Sequence, residues 1–125
     1  MPDVRLSASI RDGRVLVALS GELDVTCAAA AEAAITTLAT RGQWLIIDMS
    51  ALDFMDCGSL SALLRVRTLA RQADGDLVLA APQRLVLRLL DLAGQEDAFC
   101  VHASVAAAVV SIGSRRRGTV GAGQR

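Results

Sequence analysis

The sequence predicts an α/β fold: a mixed, mostly parallel sheet of about five strands with four helices, in the order β-β-α-β-α-β-α-β-α. Three observations predict it. Strand-like and helix-like patterns alternate after an initial β-β pair, which implies right-handed crossovers and parallel neighbours. The runs Leu45-Ile46-Ile47 and Leu77-Val78-Leu79-Ala80 do not alternate apolar with polar, as strands covered on both faces require. Asp12-Gly13 stands between two β-like runs, a hairpin signal that supplies an antiparallel edge.

In chain order, Val4 to Ile10 and Val15 to Ser20 form the hairpin, and Gly21-Glu22-Leu23-Asp24 breaks the second strand. Asp24 caps a helix over about Val25 to Thr40, where Ala28, Ala31, Ile35 and Leu38 recur at helical spacing. Arg41-Gly42 ends it. A strand from Trp44 to Asp48 follows, then a turn from Phe54 to Leu60, then a helix from Leu60 to about Ala73.

A step of about 100° per residue puts Ala62, Leu63, Val66, Leu69 and Ala70 of that helix on the inward face. Arg65, Arg67 and Arg71 fall opposite, with Leu60 and Leu64 nearer the arginines and partly exposed. Asp74-Gly75 stops the helix. After the strand Leu77 to Ala80, Pro82 suits the first turn of a helix ending near Ala93-Gly94. A short strand from Phe99 to Val101 precedes a last helix, capped by Ser104 and carrying Val105, Ala108, Val109 and Ile112.

At 125 residues the chain makes one domain, residues 1–112, followed by a tail from 113 to 125 that lacks apolar periodicity and reads as disordered and basic. Apolar residues are 53% of the chain but aromatics only 2%, so the core is aliphatic and a stacking platform for single-stranded bases is missing. All 13 basic residues are arginine, a composition that suggests a high-GC bacterial genome. The tail holds four arginines and no acid, a charge of +4. The remainder holds nine arginines against 13 acids, a charge of −4 that suits no nucleic-acid face.

Cys27, Cys57 and Cys100 are widely spaced with no C-x-x-C, so neither a disulfide framework nor a metal site is expected. No apolar run reaches the ~20 residues of a membrane span, and no signal peptide precedes the first strand. A cytoplasmic protein is expected.

The chemistry concentrates in Phe54-Met55-Asp56-Cys57-Gly58-Ser59-Leu60, where a strand hands over to a helix whose first N–H groups point outward. Asp56 fits a helix cap. Together with Gly21-Glu22-Leu23-Asp24 and Leu45-Ile46-Ile47-Asp48-Met49-Ser50, this stretch resembles the STAS domain of bacterial anti-sigma factor antagonists and of the cytoplasmic part of sulfate transporters. The resemblance runs over residues 4 to 112.

The resemblance implies a protein that binds rather than catalyses, with no cofactor. Such antagonists dock on an anti-sigma factor serine kinase of the histidine-kinase-like ATPase type and so free a sigma factor. The docking residues it implies are Glu22, Asp24, Asp56, Cys57, Gly58, Ser59 and Leu60. The kinase then phosphorylates a hydroxyl at the helix start, adding about −1.5 to −2 charge beside Asp24, Asp53 and Asp56. The family pattern D-S-S/T-G-L is altered here to Asp56-Cys57-Gly58-Ser59-Leu60: Gly58 stands at the acceptor position and Ser59 where glycine is usual. Ser59, expected to present its hydroxyl from an exposed first turn, is the phosphorylation candidate.

Two further readings remain. One is a scaffold module without phosphorylation, in a larger signalling or lipid-transport assembly. The other is a thiol enzyme built on Cys57, but Cys57 and Arg65 lack the C-x5-R spacing of thiol phosphatases, and His102 is the only histidine. A homodimer is compatible with the sequence.

Overall fold

The computed structural model describes residues 4–11, 13–41, 43–93 and 99–113. The elements are β1 (Val4–Arg11), β2 (Arg14–Leu23), α1 (Ala28–Ala39), β3 (Trp44–Met55), α2 (Cys57–Gln72), β4 (Asp76–Ala80), α3 (Arg84–Leu92), β5 (Cys100–His102) and α4 (residues 105–113). The expected order and fold class are met. Asp12, Gly42, Gly94 and the tail from residue 114 lie outside the described residues, as does the expectation of a disordered tail.

The five strands lie in sequential order, β1 antiparallel to β2 and all others parallel. With sequential order, each right-handed crossover lands on the same face of the sheet. Hence α1, α2 and α3 share one face, where Val15, Val17 and Leu19 of β2 meet Ile35, Leu63, Val66 and Leu90. The last helix, α4, covers the other face: Ala108 and Ile112 pack on Ile46, Val78 and Ala80. This two-sided burial is why β3 and β4 carry unbroken apolar runs.

Three boundaries differ from expectation. β2 does not break at Gly21-Glu22-Leu23 but continues to Leu23, with register shifts between Ala18 and Ser20 and between Gly21 and Glu22. Gly21 takes φ 93°, a left-handed value that glycine tolerates, so the strand bends rather than ends. β3 runs to Met55, because its second half still pairs with β2 while β4 stops opposite Asp48. The free side of this extension is where α3 lies.

Finally, α1 begins at Ala28. Asp24 closes a separate turn over residues 25–27, since its carboxylate accepts from Thr26 N–H two residues on. Pro82 likewise stands outside α3, whose N-cap is Gln83.

The stop after α2 is the motif expected of Asp74-Gly75. Gly75 N–H donates to Ala70 O at 2.8 Å and Asp74 N–H to Arg71 O at 3.1 Å, with Asp74 at φ 70°. A β-carbon at Gly75 would sit 2.3 Å from Gln43 O, so only glycine lets the chain pass there into β4.

Candidate functional site

The site is built at the end of β3, where the backbone leaves the sheet with Asp56 in extended conformation. Both Asp56 carboxylate oxygens are used. Oδ1 accepts from Ser59 N–H at 2.8 Å, capping α2, and Oδ2 accepts from Val25 N–H at 3.0 Å. One side chain therefore ties the β2–α1 turn to the start of α2 across 31 residues of sequence. The backbone adds a third link, Asp56 N–H to Leu23 O at 3.3 Å.

Asp24 organises the turn itself. Its Oδ1 accepts from the backbone N–H of Thr26 at 2.9 Å and from the Thr26 hydroxyl. Those bonds, the hydroxyl first, hold its carboxyl below the ordinary carboxylate range. The Cys27 thiol donates to Glu22 O at 3.4 Å, closing the same turn from the other side. Asp24 and Asp56 are thus brought together as expected. Asp53 instead meets Gln83, whose Nε2 donates to Ser50 O at 2.8 Å and lies 3.4 Å from Asp53 Oδ1.

What the site shows to solvent differs in part from the sequence reading. Glu22, Cys57 and Gly58 are exposed, and Asp24 and Asp56 are half-buried. Ser59 is buried, its hydroxyl donating to Leu23 O at 2.9 Å. The expectation that it presents a hydroxyl is therefore corrected. α2 starts at Cys57, not Leu60, which puts Ser59 one turn ahead of Leu63 on the inward stripe.

Leu60 is also buried rather than partly exposed, because α1 packs alongside α2 and widens the covered arc. Leu64 is half-buried against the same core. Cys27 and Cys100 are half-buried, and neither forms a disulfide among the described residues.

The sequence reading missed Val25 and Thr26. Val25 is 81% exposed at the tip of the Asp24 turn, beside the carboxylate that holds its N–H. An apolar residue after a turn-forming aspartate is the only signal that pointed to it.

Beneath the knob, Leu63 and Val66 are buried as expected and anchor α2 on the sheet. An Arg65–Glu32 pair, with Nε and Nη2 each 2.8 Å from a carboxylate oxygen, joins α2 to α1. It lowers the Glu32 pKa and raises that of Arg65. Arg67 is drawn to Asp76 at 3.0 Å.

Among the described residues no group of three or more His, Cys, Asp or Glu side chains is placed to hold a metal ion. No described helix is long and apolar enough to cross a membrane.

The domain thus carries, at the carboxyl end of its central strand, a knob of two loops tied together by Asp56. The family model of the STAS domain matches residues 5–108, and the chain belongs to that family. No curated protein matches it by sequence. Among solved structures it is similar to an anti-sigma factor antagonist from Mycobacterium paratuberculosis, at 25% identity and a TM-score of 0.79, covering 86% of this chain and 92% of that one.

It is also similar to the anti-sigma factor antagonist SpoIIAA in its unphosphorylated form, at 24% identity and TM-score 0.69, covering 91% and 97%. The murine anion transporter Slc26a9 shares the fold at 17% identity and TM-score 0.73; the match covers 91% of this chain but 22% of the transporter.

Proposed function

We propose that this protein is an anti-sigma factor antagonist. It binds an anti-sigma factor serine kinase of the histidine-kinase-like ATPase type and thereby frees a sigma factor, without catalysis of its own. The observation that carries this reading is the double role of Asp56: one carboxylate holds the Val25 turn and the α2 start in a single exposed surface. Glu22, Val25, Thr26, Cys57 and Gly58 form the contact, with Asp24 and Asp56 fixing its shape. The likeness to two antagonists, over nearly their whole lengths, supports the same assignment.

Phosphorylation at Ser59 requires the first turn of α2 to lift, since the acceptor oxygen is buried against Leu23 O. The association is accordingly read as one that persists in ATP. Pull-down from a bacterial lysate with identification of an ATPase-domain partner tests the binding. Intact mass after incubation with that kinase and ATP, with Ser59→Ala as control, tests the switch. Failure to recover such a kinase overturns the antagonist reading. A Ser59-dependent gain of one phosphate overturns the unswitched one.

A scaffold role in a larger assembly is the second reading, favoured by the fold shared with an anion transporter. It predicts capture of a partner lacking a kinase domain.

A further inference from the structure

We infer that the groove between α3 and the free side of β3 is a second docking surface, which takes a leucine-bearing, acidic amphipathic helix of the same protein partner. The inference rests on the binding reading above. The groove holds about 280 Å³ and is lined by Phe54, Met55, Leu85, Arg88, Leu89 and Leu92.

α3 has two apolar stripes. Val86 and Leu90 are buried in the core, whereas Leu85, Leu89 and Leu92 recur at i, i+4 and i+7 along the groove. Leu85 is 64% exposed, Leu92 77% and Phe54 43%. A helix normally turns one such stripe inward; in the second, Leu89 leans on the core while Leu85 and Leu92 stand open among the described residues. Leucines at this spacing are the pattern into which a second helix packs ridge against groove.

The walls are held in place. Gln83 fixes the start of α3 to Ser50 O on β3, and Ala81 N–H donates to His102 O at 2.8 Å. A surface that is already ordered loses little entropy on binding.

Charge selects the occupant. Arg84 and Arg88 stand one turn apart beside the stripe and form no salt bridge among the described residues, with Asp91 the only acid on α3. A partner bringing carboxylates alongside its apolar face meets those guanidinium groups. A second copy of this chain fits less well. The nine residues of α3 span only about 14 Å, too short a ridge for the roughly 1,200 Å² that a stable dimer buries.

The groove also borders the strand end that carries the knob: Phe54 and Met55 line it, and Asp56, next in the chain, caps α2.

The test uses the full chain and two synthetic helices of roughly 14 residues, identical in their leucine face but flanked by glutamate or by lysine. The glutamate peptide is expected to shift backbone amide resonances of residues 54 and 85–92. It should bind at least about ten-fold more tightly than its lysine twin, a difference of about 1.4 kcal/mol. Leu85→Ser with Leu92→Ser should abolish binding while circular dichroism stays unchanged, as both side chains are exposed. Arg84→Glu with Arg88→Glu should reverse the preference.

Equal binding of both peptides, shifts elsewhere, or binding only to phosphatidylglycerol vesicles overturns the inference. With the kinase recovered by pull-down, the double leucine variant should bind about ten-fold more weakly than wild type. Equal binding sinks the groove and leaves the knob. No kinase binding by wild type sinks the antagonist reading, and the peptides then judge the groove alone.

Discussion

Ser59 donates its hydroxyl to the carbonyl oxygen of Leu23 at 2.9 Å, so the residue that resembles a phosphoacceptor is a fastener between α2 and β2. Leu23 O also receives the Asp56 N–H. The carbonyl where β2 ends is thus shared by the N-cap of α2 and a residue of its first turn, which ties the knob to the sheet.

Removing that fastener should weaken the fold without touching any switch. Ser59→Ala is expected to cost about 1 kcal/mol, the usual worth of one intramolecular hydrogen bond. Ser59→Asp is expected to cost about 3 kcal/mol or more, because an unpaired carboxylate would be buried beside a carbonyl. Urea denaturation reads both. An aspartate variant as stable as wild type would show that the first turn of α2 opens freely.

Gly58 is the complementary case. Its position is exposed, and an added β-carbon would meet only Asp56 Oδ1, at an ordinary 3.7 Å. Gly58→Ser should therefore raise stability slightly, by about 0.5 kcal/mol from helix propensity. It should also present the hydroxyl that the natural chain lacks there. Incubation of this variant with the partner kinase and ATP is expected to add one phosphate, read by intact mass, where wild type gains none.

Asp56→Ala should cost more than a simple cap. The variant loses the bond to Ser59 N–H, about 1 kcal/mol, and the tie to Val25 N–H, about another 1 kcal/mol. Asp56→Asn keeps one acceptor oxygen and should fall between the two. Amide hydrogen exchange at Val25 is the specific readout: it should accelerate in both variants, while amides in β4 stay protected.

Two carboxylates tie stability to acid. Thr26 holds the Asp24 carboxyl down, and Arg65 does the same for Glu32. A carboxyl whose folded pKa is depressed contributes stability that is full above its unfolded pKa and lost as pH falls through the folded one. Stability should therefore decline below about pH 4. Glu32→Gln should lower the melting temperature slightly at pH 7, since the Arg65 side chain is 60% exposed and the pair is well screened. The difference from wild type should vanish at pH 2, where both chains carry a neutral group.

The elements were legible where burial on two faces or one imposes a pattern. The run Leu45 to Ile47 marks a central strand, and Ala62, Leu63, Val66 and Ala70 mark the inward stripe of α2. All are buried. Element ends were less legible. The unbroken apolar run of β3 ends at Ile47, since its second half has a neighbour on one side only, and so the strand was expected to stop at Asp48. Placing the start of α2 at Leu60 then turned Ser59 outward. Extended back by one turn from Leu63, the stripe itself would have turned it in.

The sequence by itself determined the order of elements, the family, and the carboxylates that shape the knob, because periodicity and capping are local properties of the chain. Tertiary structure alone decided which groups that knob exposes. The Asp56 bond to Val25 and the Ser59 bond to Leu23 join residues 31 and 36 positions apart. The open stripe on α3 exists because β3 outruns β4. None of these is a local property, since each depends on which strand ends lie side by side once the sheet has formed.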